Sequence, residues 1–239
     1  MMRQHFFRTL IFLCLLIVGS LHAKGQEGTS KDFLKQKREI AQFKNISISG
    51  AGHLFLKQGS KESLVIEGNA NSLSHIKSDV HDYHLYLGST NEEQSVEGLV
   101  NYYVTVKNIE DITSTGAINI TCKDTLTTPI FNLTLLGSGS ANLKAKANKL
   151  NIKISGSSKV TAQGTSLAEN IQIEGSGSIQ AKNLAATQVN IQISGAGEAE
   201  VKAIEVMDVK IDGVGKVKYY GKPKITQEIA GEGEIIPLG

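Results

Sequence analysis

A short glycine turn recurs through the second half of this 239-residue chain, and the spacing of its copies limits the possible architectures more than any other feature. The first glycines of the copies are Gly116, Gly137, Gly156, Gly175, Gly195, Gly213 and Gly231, and an earlier copy stands at Gly50. From Gly116 onward the successive steps are 21, 19, 19, 20, 18 and 18 residues. A period of about 20 residues is typical of proteins that stack repeated units along one axis.

The residues before each turn alternate between apolar and polar side chains. Ile152 and Ile154 precede Gly156, with Lys153 between them. Apolar residues stand at the same two places before the next three turns: Ile171, Ile173, Ile191, Ile193, Val209 and Ile211. A second alternation begins after each turn. Alternation with a period of two residues indicates strands that bury one face and expose the other.

The recurring alternation predicts an all-β fold, a parallel β-helix in which each repeat is a strand, a glycine corner, a second strand and a short return. Equivalent positions of successive repeats would then lie one above another, about 4.8 Å apart, and the aliphatic columns would form one core. Glycine suits the corner because positive φ or close backbone stacking excludes a Cβ atom. A sandwich of two antiparallel sheets is the alternative architecture.

The N-terminal segment Met1–Ala23 has the character of a secretory signal peptide. Arg3 and Arg8 give it a positive start, and the apolar run Leu10–Val18 is too short to span a bilayer. A retained, uncleaved anchor is the competing interpretation. We predict a partly disordered leader over residues 24–40 and a single β-helix domain over residues 41–239, with regular rungs at about 112–236.

The charge of the chain limits the classes of binding partner, and its cysteine content indicates how the fold is stabilised. The chain has 25 basic and 23 acidic residues, so loss of Arg3 and Arg8 with the signal peptide takes the net charge from +2 to zero. Only Arg38 then remains as arginine, which argues against nucleic-acid binding. Cys122 would be the sole cysteine of the mature chain and could form no intrachain disulfide. We therefore predict that it is a buried thiol and that stability comes from the stacked core.

Between the copies at Gly50 and Gly116 the repeat is lost, and the sequence predicts an irregular N-terminal β sector with wider rungs or antiparallel excursions. The strand candidates there are residues 63–66, 75–80, 83–87 and 99–106, and residues 69–72 and 88–94 have the composition of turns or loops. Residues 31–40 are charged and are compatible with a short helix or an extended leader. Gln227 and Pro237 have the character of features that end the stack.

The order of these segments resembles that of the auto-transporter adhesin head, or GIN, domain family of secreted bacterial proteins. The matching segments are Phe43–Gly52, Leu64–Gly68, Leu85–Leu87, Tyr103–Lys107 and the glycine-turn copies between residues 137 and 197. The resemblance extends over about residues 40–236. It implies a right-handed parallel β-helix similar to pectin-lyase-like folds, export from a bacterium and an adhesive role. It supplies no catalytic residues to carry over.

The glycine turns could in principle hold a phosphate or a calcium ion, but their sequences lack the required residues. The copy that begins at Gly50 has no third glycine of a dinucleotide fingerprint. The copies have no aspartate at the ligand position of a calcium turn, and Asp212 stands alone before its turn. We therefore predict that Gly50, Gly116, Gly137, Gly156, Gly175, Gly195, Gly213 and Gly231 are structural corners, and that the chain needs no cofactor.

Candidate metal and catalytic residues are few. His81 and His84 could converge on zinc if they lie on a turn, but solvated histidines are the simpler interpretation. Glu174 and Asp212 occupy the same position two rungs apart, about 9.6 Å, which is near the separation in inverting glycosidases. Glu198 and Glu200 form a second acidic pair. The repeats offer almost no aromatic rings on which a sugar could stack. We therefore interpret all four carboxylates as solvated.

These observations favour an exported, non-enzymatic β-helix protein that acts as a binding or adhesion module at the cell surface or in the envelope. The alternatives are a polysaccharide-active enzyme on the same scaffold and a structural element that assembles with itself. A glycan or a protein is the expected partner, with no nucleic acid and no membrane span in the mature chain. The destination could be the periplasm, the outer-membrane surface or the medium, and the stacked Gly-Ser corners are one edge that could bind.

Overall fold

The computed structural model describes residues 33–89 and 98–239, so the predicted signal peptide lies outside the described residues, as do residues 24–32 of the leader. The strands are β1 (Leu34–Arg38), β2 (Asn45–Gln58), β3 (Ser63–Gly68), β4 (Ile76–His81), β5 (His84–Ser89), β6 (Val100–Val106), β7 (Asp111–Cys122), β8 (Leu126–Gly137), β9 (Ser140–Gly156), β10 (Lys159–Gly175), β11 (Ser178–Gly195), β12 (Glu198–Gly213), β13 (Lys216–Tyr220), β14 (Lys224–Gly231) and β15 (Glu234–Pro237). One short helix, α1 (Ala70–Ser74), lies between β3 and β4.

β2 and the strands from β7 onward stack in parallel and form a β-solenoid of about 7 turns, so the predicted parallel β-helix is confirmed and the antiparallel sandwich is excluded. β2 pairs with β7, and β7, β8, β9, β10, β11 and β12 then follow one another in the stack. β13, β14 and β15 complete the C-terminal end. β2 and β7 run through their corner glycines, whereas each strand from β8 to β12 ends at one.

The corner glycines align from one rung to the next. Each of the eight pairs with its counterpart on the neighbouring strand, in the order Gly50, Gly116, Gly137, Gly156, Gly175, Gly195, Gly213 and Gly231. Their φ angles lie between 100° and 146°, a region that residues other than glycine rarely adopt. A Cβ on any of them except Gly50 would meet the carbonyl oxygen of the preceding glycine in the column at 2.8 Å or less.

The inward columns form one core cluster that extends from Phe43 to Val217 among the described residues. Ile152, Ile171 and Ile191 form one such column on consecutive rungs, and all are buried. Burial of apolar area at about 25 cal/mol per Å² is the main stabilising contribution in such a stack. The alternating aliphatic residues of the sequence therefore specify both the strands and the register between them.

Antiparallel strands cover the N-terminal end of the solenoid. β5 and β6 pair with β2 in parallel, β4 pairs with β5 antiparallel, and β3 and then β1 continue beyond β6 antiparallel. Residues 34–38, which could have been helical, are thus an extended edge strand. Residues 69–72, interpreted as a turn, instead begin α1, with Asn69 as its N-cap and Leu73 buried against the core.

The C-terminal end is more open than the N-terminal end. In the last rung Gln227 occupies the position that Val209 holds one rung earlier, and β15 ends at Pro237. Ile229 and Leu238 are 38% and 43% exposed. Among the described residues, antiparallel strands cover the N-terminal end, whereas the C-terminal end finishes with the parallel strands β14 and β15.

Candidate functional site

One outward surface of the solenoid keeps strict register along its whole length. It is formed by the stretch before each corner glycine, beginning at Asn45 on β2 and ending at Thr226–Gly231 on β14, and we name its outward side chains the ladder face. No register shift interrupts this stretch between β2 and β14, whereas the shifts in β10, β11 and β12 lie in the other stretches of the rungs. The side chains of the ladder face are therefore held at regular spacing.

A ladder of asparagines forms the first column of this face. Asn151 Nδ2 donates to Asn132 Oδ1 at 2.6 Å, Asn170 Nδ2 to Asn151 Oδ1 at 2.7 Å, and Asn190 Nδ2 to Asn170 Oδ1 at 2.9 Å. Asn132 Nδ2 in turn donates to the backbone oxygen of Glu110 at 3.2 Å. The amides of Asn132, Asn151 and Asn170 each donate and accept, so the ladder fixes the rotamers of the column and rigidifies the surface.

Asn170→Ala is expected to destabilise the protein by about 1–2 kcal/mol, because it removes two amide–amide hydrogen bonds from a half-buried position. Asn190→Ala, which removes the bond at the end of the ladder, is the matched control and should cost about half as much. Chemical denaturation followed by far-ultraviolet circular dichroism measures both. Equal effects of the two variants would contradict a cooperative ladder.

Three shallow grooves follow one another along the ladder face. The first, about 330 Å³, lies at the N-terminal end beside the hairpin of β4 and β5. The second, about 410 Å³, lies over Asn151, Asn170 and Gln172, and the third, about 420 Å³, over Asn190 and Lys210. Amides and hydroxyls dominate their lining, so the face offers many uncharged donors and acceptors.

The first groove, which we name the Tyr86 groove, combines an aromatic ring with hydroxyl groups. Its polar and aromatic lining consists of Ser47, Ser49, Lys77, Tyr86, Ser89, Thr113 and Thr115. The strand pairing explains this set, because Tyr86 lies between Ser47 on β2 and Asp79 on β4. Gly88 lies opposite Lys77 and forms part of the groove. The sequence separates these residues by up to 68 positions, so only the pairing of β5 with β2 reveals the site.

The two histidines considered as zinc ligands flank the hairpin turn between β4 and β5. His81 and His84 are cross-strand partners, and Asp82 and Tyr83 between them have positive φ angles of 50° and 60°, as in a type I′ turn. His84 Nε2 makes a 2.7 Å hydrogen bond with Ser47 Oγ, and its ring stacks on Tyr86. No group of three or more metal-ligating side chains occurs in residues 33–89 and 98–239. In this arrangement the histidines position the hairpin and the ring of Tyr86.

The candidate catalytic carboxylates are spread over two faces, and Glu174, Glu198 and Glu200 each lie beside a lysine. Glu174 and Asp212 lie on the ladder face two rungs apart, with Ser194 between them, and Glu174 makes a 3.0 Å ion pair with Lys153. On the adjoining face beyond the corner, Glu198 accepts from Lys218 at 2.7 Å. Glu200 there accepts from the Tyr220 hydroxyl at 3.1 Å and lies 3.6 Å from Lys182 Nζ. The sequence-predicted register of these residues is correct, and their pairing fits a charged, solvated surface.

A second aromatic cluster lies beyond the corner, on β2 and β6. The rings of Phe55 and Tyr103 stack with their centroids 5.0 Å apart, and Lys123 Nζ lies 5.3 Å from the Phe55 centroid. The Tyr103 hydroxyl donates to Glu67 at 2.6 Å, which lowers the pKa of that carboxyl, and the Asn101 and Lys35 side chains lower it further. The two ring faces cover each other, so this cluster is occupied by its own contacts.

One buried acid was missed in the sequence. Glu169 is fully buried in the column that contains Leu150 and Val189, and neither carboxyl oxygen has a hydrogen-bond partner among the described residues. Burial raises the pKa of Glu169 to about 8, so the group is mostly protonated at neutral pH. The sequence did contain a signal for this burial. Glu169 stands six positions before a corner glycine, and from Phe131 to Ile225 the other residues at that position are apolar.

Cys122 is buried at the end of β7, in agreement with the prediction of a buried thiol. Burial raises the pKa of its thiol to about 12, so little thiolate is present at neutral pH. The described part of the chain has no helix with the length and apolar character needed to cross a bilayer. The buried thiol therefore does not mark a reactive site.

Solved structures of proteins from Bacteroides and Parabacteroides species have the same fold. A putative adhesin from Bacteroides fragilis is 25% identical, with a TM-score of 0.81 over 87% of this chain and 98% of that one. A putative lipid binding protein from Parabacteroides distasonis is 18% identical, with a TM-score of 0.74 over 88% and 98% of the two chains. A putative adhesin from Parabacteroides merdae is 20% identical, with a TM-score of 0.69 over the same shares.

No curated protein matches the sequence. The family described as "Putative auto-transporter adhesin, head GIN domain" matches residues 42–223, which is most of the chain and includes seven of the eight corner glycines. The match agrees with the resemblance seen in the sequence and with the solenoid fold of the structural neighbours. The chain therefore belongs to the GIN domain family of auto-transporter adhesin heads.

Proposed function

We propose that the chain is exported and serves as a non-enzymatic binding module of the adhesin kind, which holds its partner along the ladder face. The observation that carries the proposal is the unbroken register of that face from β2 to β14. At about 4.8 Å per step, seven steps give a rigid surface about 34 Å long. Long regular faces of this kind are the usual binding surfaces of solenoid proteins.

Family membership and surface chemistry support this proposal. The family is named for adhesins, which bind at cell surfaces. The Parabacteroides distasonis protein named for lipid binding shares the fold at 18% identity, but the ladder face of this chain presents amides and hydroxyls instead of an apolar surface. The ion pairs of Glu174 and Glu198 with lysines support a binding surface over a catalytic one.

Fractionation of the host tests export and surface binding. We expect the chain outside the cytoplasm, shortened by Met1–Ala23, and purified chain should bind to isolated host envelopes in a saturable manner. N-terminal sequencing of the native protein and a sedimentation assay with labelled protein measure the two properties. A full-length chain in the cytoplasm, or no retention on envelopes, would contradict the proposal.

A polysaccharide digestion assay tests the non-enzymatic part. Purified protein is expected to release no new reducing ends from neutral or acidic polysaccharides. Release that disappears in Glu174→Ala or Asp212→Ala, but persists in the control Glu198→Ala, would establish the enzymatic alternative instead.

A further inference from the structure

We infer that the Tyr86 groove is a carbohydrate subsite and that the ladder face binds an uncharged glycan chain that runs along the solenoid. The inference rests on the proposed function, because it names the chemical class of partner for the same face. Four features of the groove carry it: an exposed ring face, hydroxyl groups on two neighbouring rungs, a glycine that lets one of these hydroxyls approach closely, and a lysine paired with an aspartate.

The ring of Tyr86 is available on one face only. His84, Tyr86 and Gly88 point to the same side of β5, because alternate residues of a strand share a face. The imidazole of His84 stacks on one face of the tyrosine ring, with centroids 4.5 Å apart. Gly88 places no side chain against the other face, and Tyr86 is 41% exposed. A flat apolar ring face of this kind suits the C–H face of a sugar ring, with the phenol hydroxyl free to hydrogen-bond.

Glycine at position 88 also lets the Ser49 hydroxyl approach closely. Its φ is 153°, and a Cβ atom there would lie 2.2 Å from Ser49 Oγ. Ser49 therefore occupies the space that a side chain at position 88 would fill. The Ser49 hydroxyl thus lines the groove close to the Gly88 backbone, beside Tyr86 and Lys77. The groove's volume of about 330 Å³ is at the lower end of small-ligand sites and suits a short stretch of a glycan chain.

Hydroxyl groups line the side of the groove that continues into the solenoid. Ser47 and Ser49 on β2 lie beside Thr113 and Thr115 on β7. Farther along the same face the outward positions change to amides, among them Asn170, Gln172 and Gln192. Hydroxyls and amides can both donate and accept, as sugar hydroxyls require.

The lysines of the ladder face and of the Tyr86 groove each lie close to a carboxylate, which disfavours an acidic partner. Lys77 Nζ lies 3.4 Å from Asp79, and Lys153 Nζ lies 3.0 Å from Glu174. Lys210 Nζ lies 2.7 Å from Glu228. A face selected for an acidic glycan or nucleic acid would present unpaired cations, whereas the other charged side chains of this face are the carboxylates of Asp111, Asp208 and Asp212.

Affinity electrophoresis in gels that contain a soluble polysaccharide tests the inference. The probes are yeast mannan, cereal β-glucan, xyloglucan and soluble starch as neutral chains, with alginate and hyaluronan as acidic comparators. At least one neutral probe should retard the protein, and the retardation should persist in high salt because no ionic contacts are involved. Retardation by none of the neutral probes, or only by acidic probes in a salt-sensitive manner, would overturn the inference.

Variants of two tyrosines on the same hairpin locate the subsite. Tyr86→Ala should weaken binding to the retarding probe by at least about tenfold, because it removes the ring face. Tyr86→Phe should bind nearly as the natural protein does. Tyr83→Ala is the matched control, because Tyr83 lies at the turn, is 62% exposed and does not line the groove. Equal binding by Tyr86→Ala and Tyr83→Ala, with melting temperatures that show both folded, would overturn the assignment of the subsite.

Chemical treatment of host envelopes distinguishes failure of this inference from failure of the proposed function. Periodate destroys surface glycans and should abolish binding of the labelled chain, whereas protease treatment of the envelopes should leave it. Binding that survives periodate but not protease would overturn the glycan inference and leave surface binding intact. No binding to untreated envelopes would instead contradict the proposed function itself.

Discussion

Gly116→Ala is expected to destabilise the solenoid by at least about 3 kcal/mol, through backbone strain and a collision between rungs. The φ of Gly116 is 101°, and an added Cβ would lie 2.4 Å from the carbonyl oxygen of Gly50, where ordinary contacts begin near 3.4 Å. That oxygen belongs to the backbone of the neighbouring rung and cannot rotate away, so the rungs must separate. Urea denaturation followed by circular dichroism measures the change.

Gly50→Ala is the matched control for this prediction. Its φ of 100° is nearly the same, but an added Cβ would have no heavy atom within 4 Å. The control therefore isolates the conformational strain, which is worth about 1–2 kcal/mol. Equal destabilisation by the two alanines would show that stacking against the neighbouring rung is not the reason for glycine in this column.

Glu169→Leu is expected to stabilise the protein by about 4 kcal/mol or more at pH 8, since it replaces an unpaired buried carboxyl by an apolar side chain in an apolar column. Leu150 and Val189 are its neighbours on the adjoining rungs, so leucine matches the character of the column. Differential scanning calorimetry at several pH values measures the gain, provided that unfolding is reversible.

The stabilisation by Glu169→Leu should increase as the pH rises, because burial raises the pKa of Glu169 in the folded state. The pKa of Glu169 is raised from 4.5 in the unfolded chain to about 8 in the fold, so the folded state binds the proton more tightly. Between these two values the unfolded state ionises first, and the natural protein loses stability as the pH rises from 4.5 to 8. The leucine variant lacks this loss, so the two stability curves should converge toward pH 4 and diverge toward pH 8.

Glu174→Gln serves as the control for charge removal on the same strand. Glu174 is outward and paired with Lys153, so its neutralisation should change stability by no more than about 0.5 kcal/mol. A Glu169→Leu variant whose stability follows the same pH curve as the natural protein would contradict the buried, unpaired state of this carboxyl.

Much of the solenoid follows from local sequence. The interval between corner glycines and the alternation around them predict the strands, the parallel stacking and the register that brings Glu174, Ser194 and Asp212 into one column. A shift of one residue would turn every isoleucine of a strand outward, so the hydrophobic effect specifies the register strongly. The same pattern, extended to the sixth position before each glycine, would also have located Glu169 inside.

The Tyr86 groove and the ends of the stack could not be inferred in this way. β4, β5 and β6 have no repeat, and β5 pairs with β2 although their paired residues lie 39 positions apart, as with Asn45 and His84. No periodic signal encodes a pairing of that kind, because it depends on which edges remain open once the other strands have stacked. The sequence therefore contained Tyr86, Gly88 and Ser49 without any indication that they share a groove.

The amino-acid sequence by itself determined the repeat, the parallel solenoid, its corner glycines and its membership of an adhesin-head family. It could do so because these properties rest on short-range alternation and a fixed interval, which any copy of the repeat displays. Only the tertiary structure decided how the N-terminal end is covered, which face keeps its register and where an aromatic ring meets a row of hydroxyls. Those features arise from contacts between segments that are far apart in the chain. Local sequence patterns do not determine the geometry of such contacts.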